Sequence, residues 1–222
     1  MKYLIVNADD FGASRGTNRG IQDAHRQGIV TSTSLLVNAP WAGVAAALSG
    51  TVPDLSVGLH LDFDGLGEAE LEAEPHRQLC RFQDLMGRLP THIDSHHNAH
   101  RDRRVLAHVL HLARQYGLPA REHSPVRFCS KFYGRWGGRT HAEQISVGSL
   151  VRLLEAEVRD GVTELSCHPG YADPDLRSEY ADERPAEVST LCDPTLPALL
   201  AARNIRLIGF RDLPGVLAGA PA

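Results

Sequence analysis

The first twelve residues, Met1 to Gly12, read MKYLIVNADDFG and change abruptly from apolar to polar. The short apolar run Tyr3–Val6 predicts a β-strand. The polar end that follows contains two adjacent carboxylates, Asp9 and Asp10. In parallel α/β proteins, reactive side chains collect at the carboxyl ends of the strands. If the fold is of that kind, this stretch supplies its first strand and part of a candidate functional site.

Short apolar runs continue to alternate with longer amphipathic stretches along the chain. Further strands are predicted at Thr33–Val37, Leu55–Leu61, Thr91–Ser95, Ala120–Glu122, Thr163–Cys167 and Ile205–Ile208. Helices are predicted at Thr17–Gln27, Trp41–Leu48, Glu68–Met86, Arg103–Tyr116, Ser149–Val158 and Thr195–Arg203. Loops are predicted at Ser124–Ala142 and Gly170–Val188. This α/β pattern of about seven parallel strands, without a clear linker, predicts a closed or nearly closed (β/α) barrel, with an open doubly wound sheet as the alternative.

The composition is that of an ordinary globular protein, with one unusual residue count. The chain has 222 residues, of which 42% are hydrophobic and 23% charged, and its formal net charge is −4. This negative balance argues against a nucleic-acid partner, because phosphate binding requires a basic face. Of the 12 histidines, six lie between His92 and His111. Histidine is the commonest metal ligand and a proton carrier near neutral pH, so this cluster needs a chemical explanation.

Cysteine spacing and apolar run lengths favour a cytoplasmic protein. The four cysteines are widely spaced and match neither a zinc finger nor a disulfide scaffold. The N-terminal apolar run is shorter than a signal-peptide core of about 7–15 residues. The longest apolar stretch, Trp41 to Leu48, is shorter than the about 20 residues that a membrane-spanning helix needs. We therefore expect reduced thiols, no membrane span and a cytoplasmic location.

Four polar clusters follow predicted strands. They are Asn7–Gly12, Gly58–Asp62, Thr91–His100 and Ser166–Gly170. The third is the densest, because the stretch 94–100 reads DSHHNAH and holds one aspartate and three histidines. Since the carboxyl ends of parallel strands face one rim, we expect the four clusters to converge there.

The residue types in these clusters suit metal-assisted hydrolysis. Adjacent carboxylates repel each other unless a cation or a shared proton relieves them. One carboxylate and two imidazoles hold a divalent ion and leave coordination positions open for water and substrate. A second carboxylate can then accept a proton from the water, and a distant histidine can protonate the leaving group.

Each cluster also has a plain structural alternative. Asp9 and Asp10 can form a solvated loop or a helix cap. His60 can be a satisfied core histidine, and His168-Pro169-Gly170 can be an ordinary turn. His92, like the histidines at 108 and 111, is expected to face solvent or neighbouring helices.

Aromatic and basic side chains supply candidate substrate contacts. Phe132, Tyr133 and Trp136 either pack within their loop or form a platform on which a sugar stacks. Phe11, beside the acidic pair, is a further candidate. Arg121 follows a predicted strand and either orients Asp9 or binds substrate, with a plain surface salt bridge as an equal alternative.

Taken together and in this order, the motifs resemble those of the YdjC-like carbohydrate deacetylases, which include the chitooligosaccharide deacetylases and a hopanoid-associated branch. The matching motifs are Asn7-Ala8-Asp9-Asp10-Phe11-Gly12, Thr31-Ser32-Thr33-Ser34, Gly58-Leu59-His60-Leu61, Thr91-His92-Ile93-Asp94-Ser95-His96-His97 and Cys167-His168-Pro169. They extend over nearly the whole chain. The resemblance implies an irregular, seven-stranded (β/α) barrel, with residues 1–222 as a single domain. It also implies hydrolysis of N-acetyl groups on glucosamine-type sugars or oligosaccharides.

The resemblance also implies roles by motif position. Asp10, His60 and His96 match the ligands of one divalent metal ion. Asp9 matches the general base that acts on the water, and His168 matches the general acid for the departing amine. The family implies magnesium or zinc, and two imidazoles with one carboxylate favour zinc because magnesium prefers oxygen.

The chain departs from the family pattern in two places. It reads His96-His97-Asn98 where family members commonly have three histidines, and its connection from Asp62 to Glu68 is short. The first change bears on the outer surroundings of the metal, where we place Asp94, His97 and His100. The second bears on the length and identity of the substrate.

Three other functions stay open at this point. The first is another metal hydrolase on the same scaffold, acting on a phosphoester or a non-sugar amide; a second metal site or a basic phosphate clamp would favour it. The second is a non-catalytic sugar- or metal-binding protein, which would not need a base and an acid together. The third is an interaction module, whose exposed apolar face a sequence cannot show. We expect a small-molecule or oligosaccharide substrate, no nucleic acid partner, and an oligomeric state that a homodimer would fit.

Overall fold

A computed structural model of the chain describes residues 1–219. Nine strands lie in this part of the chain. They are β1 (Lys2–Phe11), β2 (Ser32–Leu35), β3 (Ser56–Leu61), β4 (Ile93–Ser95), β5 (Arg127–Cys129), β6 (Arg135–Trp136), β7 (Arg139–Thr140), β8 (Gly161–Cys167) and β9 (Ile205–Leu207). Eight α-helices accompany them. They are α1 (Arg15–Arg26), α2 (Ala42–Ser49), α3 (Glu74–Met86), α4 (Arg103–Tyr116), α5 (Val147–Glu157), α6 (Arg184–Leu191), α7 (Leu196–Ala201) and α8 (Leu213–Leu217).

Seven of the strands form one sheet in the order β4-β3-β2-β1-β8-β5, with β9 also paired to β1. Every pairing in this sheet is parallel. Beyond β4, Ala120 forms a further parallel bridge to Ile93. The sheet curls into a half-barrel with helices around it. The prediction of an α/β protein with about seven parallel strands in an irregular barrel is therefore confirmed. Strands β6 and β7 form a separate antiparallel hairpin.

Strand β1 lies at the centre of the sheet and divides its side chains between two faces. Leu4, Val6 and Ala8 pack into the main hydrophobic cluster, whereas Ile5 belongs to a second, smaller one. Because side chains alternate along a strand, Asn7 and Asp9 lie on the same face as Ile5. The inner face of the sheet is thus apolar at the amino end of β1 and polar at its carboxyl end.

The structure differs from the predicted elements at several points, and the helix predicted at Glu68–Met86 begins at Glu74. Strand β1 extends to Phe11, so Asp9 and Asp10 are among its last three residues and do not lie in a loop after it. The predicted strand Ala120–Glu122 is reduced to the bridge at Ala120. Strand β5 and most of helix α6 lie in segments predicted as loops. No helix in residues 1–219 has both the length and the apolar character to cross a bilayer.

Candidate functional site

A cleft of about 1100 Å³ opens at the carboxyl end of the sheet, and the four polar clusters converge on it. Five predicted site residues from strand ends line this cleft, and they are Asp9, Asp10, His60, His96 and His168. The structure therefore shows the predicted convergence of the strand ends on one rim.

The two adjacent carboxylates face the same cleft because the strand is irregular where they lie. Strict alternation along β1 would direct Asp9 and Asp10 to opposite faces. Asp10, however, has a φ of 71°, in the left-handed region, and the pairing of β1 with β2 shifts register between Ala8 and Phe11. A non-glycine residue in this region is strained, and such strain collects at functional sites. This local distortion brings both carboxylates to the site.

Two imidazole nitrogens lie near one carboxylate oxygen of Asp10. Its Oδ1 atom lies 3.4 Å from His60 Nε2 and 3.9 Å from His96 Nε2. Donor atoms about 2.0–2.1 Å from one tetrahedral zinc ion are about 3.3 Å apart. The distance to His60 matches this spacing and the distance to His96 is longer, and the three donor atoms do not all lie within 4.8 Å of one another. His96 would therefore have to move inward to share an ion with the other two. Arg184 Nη2 donates a hydrogen bond to Asp10 Oδ2 at 2.5 Å. Oδ1 is therefore the Asp10 oxygen that remains available to bind a metal ion.

The orientation of His60 is fixed from behind. Its Nδ1–H donates to Asp94 Oδ1 at 2.7 Å, so Nε2 points towards Asp10. Burial acts to lower the pKa of His60, but the nearby carboxylates of Asp94 and Asp10 outweigh burial and raise it to about 10. The surroundings of this ring therefore favour a positive charge, which a bound cation also supplies.

Two other groups of side chains have donor atoms that all lie within 4.8 Å of one another. Asp9, His60 and Asp94 form one buried group of this kind, and the more exposed Asp64, His96 and His97 form another. In the first group, both carboxylates are ion-paired to Arg121, whose positive charge opposes a cation between them. Asp10 is also ion-paired, to Arg184, but through Oδ2 alone, whereas Arg121 occupies both oxygens of Asp9. We therefore favour the group around Asp10 over that first group.

Asp9 is held by a buried arginine. Arg121 donates from Nη1 and Nη2 to the two carboxylate oxygens, both at 2.8 Å, and Asn7 Nδ2 donates to Oδ1 at 2.8 Å. The same guanidinium also binds Asp94 and Glu164. Burial acts to raise the pKa of Asp9, but Arg121 outweighs it and the pKa lies below its usual value. Of the three roles considered for Arg121, its contacts match the one that orients Asp9, and its burial rules out a surface salt bridge.

His168 lies opposite the acidic pair. Its Nε2 atom is 4.0 Å from Asp9 Oδ2. Burial lowers the pKa of His168, against the opposing effect of Asp10 and Asp9. The rings of Tyr133 and Tyr180 meet the imidazole edge-on, with centroid distances of 5.9 and 5.4 Å. The Asp9 carboxylate and the His168 imidazole thus lie close together, in surroundings that favour the charged form of the carboxylate and disfavour the charged form of the imidazole.

The four aromatic candidates lie in different surroundings. Phe11 and Phe132 are 1% and 0% exposed and pack in the hydrophobic core, so we leave both out of the proposed substrate site. Tyr133 is 38% exposed, lines the cleft and stacks on Tyr180 at 4.3 Å. Trp136 is 48% exposed on the β6–β7 hairpin and stacks on His141, away from the residues that line the cleft.

The three residues predicted around the metal ligands, Asp94, His97 and His100, also differ in their surroundings. Asp94 is buried and binds His60 directly. His97 is exposed at the rim, with Nε2 3.9 Å from Asp64 Oδ2. His100 is buried and interacts with Ser95 Oγ at 2.6 Å and with Glu122, on the side away from His60. Only Asp94 of these three contacts a candidate ligand by a hydrogen bond.

Helix α6 contributes two site neighbours that the sequence analysis missed. Arg184 binds Asp10, and Glu187 accepts a hydrogen bond from the backbone N–H of His168 at 2.5 Å. A signal was present, because Pro185 in the first turn, followed by an acidic residue, is typical of a helix start. The glycines, prolines and charges of the preceding segment had favoured a loop instead.

The fold and the site together define an α/β enzyme with its functional residues at the carboxyl ends of parallel strands. The family model described as YdjC-like protein matches residues 3–69 and 64–202. A carbohydrate deacetylase from Geobacillus stearothermophilus is 36% identical over 252 residues, covering 95% of this chain and 98% of the relative. A chitooligosaccharide deacetylase from Salmonella dublin is 36% identical over 258 residues, covering 96% and 99%. The chain belongs to the YdjC-like family and is an enzyme.

A solved structure shows the same fold. The crystal structure of a protein from Enterococcus faecalis V583 superimposes with a TM-score of 0.84 and 28% sequence identity, covering 96% of this chain and 98% of that one. The likeness extends over the whole sheet and its helices, so the family and the fold agree.

Proposed function

We propose that this enzyme is a metal-dependent deacetylase that removes N-acetyl groups from N-acetylglucosamine-type sugars or oligosaccharides. The observation that carries the proposal is that Oδ1 of Asp10 lies 3.4 Å from Nε2 of His60 and 3.9 Å from Nε2 of His96, beside Asp9 and His168. This set combines a candidate metal site with a proton acceptor and a proton donor. The relatives named carbohydrate deacetylase and chitooligosaccharide deacetylase support the substrate class.

Asp10, His60 and His96 are the proposed metal ligands. Two imidazole nitrogens and one carboxylate oxygen favour zinc over magnesium, because magnesium prefers oxygen. A divalent ion held there would polarise the acetyl carbonyl and lower the pKa of a water molecule. Arg184 and Asp94 hold the far atoms of Asp10 and His60, which keeps the near atoms directed at the ion.

Asp9 is the proposed general base, which accepts the proton of the attacking water. Arg121 binds both of its oxygens and keeps the carboxylate ionised and immobile. Because the carboxylate is already oriented, little conformational entropy is lost when the water attacks.

His168 is the proposed general acid, which protonates the departing amine nitrogen. Amines leave poorly unless they are protonated, so amide hydrolysis depends on such a donor. The lowered pKa of the buried imidazole makes its protonated form a strong donor. His168 Nε2 lies 4.0 Å from Asp9 Oδ2, so the proposed acid and the proposed base reach the same part of the cleft.

Tyr133 is the proposed contact for the sugar ring. Its ring is backed by Tyr180 and lies beside His168, where the amine leaves. The cleft volume of about 1100 Å³ is slightly above the range of about 300–1,000 Å³ that is usual for small-molecule sites. The cleft therefore has room for an oligosaccharide.

The direct test is acetate release from N-acetylglucosamine and its oligomers. Metal-stripped protein is compared with protein reloaded with zinc or magnesium, and Asp9→Asn is compared with Asp84→Asn, which changes an exposed carboxylate on α3. We expect metal-dependent release that Asp9→Asn abolishes and Asp84→Asn leaves unchanged. Stoichiometric metal binding with no release from any N-acetyl sugar would overturn the substrate and retain the metal site.

A further inference from the structure

The turn after β8 is fastened to the first turn of α6 by three hydrogen bonds. The N–H of His168 donates to Glu187 Oε2 at 2.5 Å, and the N–H of Gly170 donates to the carbonyl of Arg184 at 3.3 Å. Arg184 Nη1 donates to the carbonyl of His168 at 3.4 Å. Pro169 between them has no N–H to donate. The backbone that carries the proposed acid is therefore held by α6 on both sides of the proline.

The imidazole of His168 has no such support of its own. Its Nδ1 atom is buried without a hydrogen-bond partner, and the ring is contacted edge-on by Tyr133 and Tyr180. His60 is different, because Asp94 binds its Nδ1 directly. The ring of His168 consequently lies where its backbone places it.

Glu187 is the central residue of this support. Its carboxylate is fully buried, with Oε2 bound to the His168 N–H and Oε1 bound to the Tyr180 hydroxyl at 2.5 Å. The hydroxyl in turn accepts from the N–H of Gly134 at 2.8 Å. One carboxylate thus joins the end of β8 to the aromatic residue that packs against the same imidazole.

We infer that Glu187 is a positioning residue that holds His168 at the leaving group by fixing its backbone. This inference rests on the proposed function, because it takes His168 as the donor to the amine. A shift of about 1 Å in such a group costs about 100-fold in rate. The contact requires an acceptor of the right length at position 187 and does not require its charge.

This requirement separates three substitutions. Glu187→Met keeps the length and removes the acceptor, and Glu187→Asp keeps the carboxylate and shortens its reach. Glu187→Gln keeps an acceptor for the His168 N–H, and its amide can donate to the Tyr180 hydroxyl. Thr190→Val is the matched control, because Thr190 lies on the same helix and its buried hydroxyl donates to Ile145 instead.

The experiment measures kcat on an N-acetylglucosamine oligomer and on 4-nitrophenyl acetate, whose leaving group departs without protonation. We expect Glu187→Met to lower kcat on the amide about 100-fold and to change the ester rate only a few-fold. Glu187→Asp should show the same selective loss to a smaller degree. Glu187→Gln and Thr190→Val should keep both activities. An equal loss on both substrates, or full amide activity in folded Glu187→Met, overturns the inference.

A second readout does not depend on activity. The imidazole ¹⁵N and ¹H resonances of His168, recorded on metal-free protein, should move in Glu187→Asp and stay in place in Thr190→Val. Unmoved resonances in Glu187→Asp would contradict positioning even if the enzyme acts on a different amide. Absence of acetate release by the wild-type protein, with the resonance shift still present, would instead count against the proposed function alone.

Discussion

Asp94 Oδ1 accepts a hydrogen bond from His60 Nδ1 at 2.7 Å, and this contact directs the opposite nitrogen of the ring at Asp10. The two residues occupy paired positions on β3 and β4, because His60 is opposite Asp94 in the strand register. The sheet pairing therefore sets the orientation of a proposed ligand. Carboxylates behind ligand histidines raise their basicity and fix their tautomer.

Asp94→Asn should weaken zinc binding about 10- to 100-fold, the usual cost of losing an outer partner of a ligand histidine. The dissociation constant is measured by competition with a chromophoric chelator on metal-stripped protein. Asp84→Asn on the surface of α3 serves as the control for loss of one carboxylate. An unchanged zinc affinity in folded Asp94→Asn would show that His60 does not need this support or does not bind the metal.

Arg121→Met should destabilise the fold strongly. Three buried carboxylates, those of Asp9, Asp94 and Glu164, share the Arg121 guanidinium. Removing one partner of a buried ion pair costs about 3–5 kcal/mol, because the remaining charge is left without compensation. Urea unfolding measures the change in the free energy of unfolding.

Arg101→Met is the matched comparison for that experiment. Arg101 is half-exposed and pairs with Glu122 at 2.6 Å. Exposed pairs contribute about 0–1 kcal/mol, so this variant should unfold almost like the wild type. Similar losses in both variants would mean that the three carboxylates do not depend on Arg121.

The strands and helices with regular local patterns were predictable, and so was their convergence. The prediction that α4 covers Arg103–Tyr116 agrees with the structure, because its apolar spacing and the glycine after it are local signals. Strand β5 has only three residues, and its pairing with β8 is a contact between distant segments. No pattern within three residues can show such a pairing.

The convergence of Asp9, Asp10, His60, His96 and His168 on one cleft was predictable from the sequence, but their contacts were not. Two adjacent aspartates, Asp9 and Asp10, indicate a candidate site in the sequence. The left-handed φ of Asp10, which directs both side chains into the cleft, has no sequence signal. Arg184 is 174 positions from Asp10, so their ion pair depends on the completed fold. Phe132 and Tyr133 are neighbours of equal aromatic character, and only the structure shows that one is buried and the other lies in the cleft.

Phe132 and Tyr133 should respond differently to truncation. Phe132→Ala removes a fully buried ring and should cost about 3–5 kcal/mol of unfolding free energy. Tyr133→Ala removes a partly exposed ring and should mainly raise KM for the sugar. Unfolding curves and steady-state kinetics on the same two variants check this. If folded Phe132→Ala had a raised KM and Tyr133→Ala had the KM of the wild type, Phe132 and not Tyr133 would be the sugar contact.

Glu164 should make the stability of the fold depend on pH. Burial raises its pKa from 4.5 to about 7, although Arg121 acts to lower it. Between these two values the native protein retains a proton that the unfolded chain has lost. The contribution of this proton to stability is fully present below about pH 4.5 and is lost as the pH rises through about 7, with a limit of about 3 kcal/mol.

Glu164→Gln should remove that dependence, because the amide is uncharged at every pH. The unfolding free energies of the variant and the wild type are compared at several values between pH 5 and 8. The unfolding free energy of the variant should increase relative to that of the wild type as the pH rises from 5 to 8. A difference that stays constant with pH would mean that Glu164 is ionised throughout, and that its pairing with Arg121 at 2.6 Å outweighs its burial.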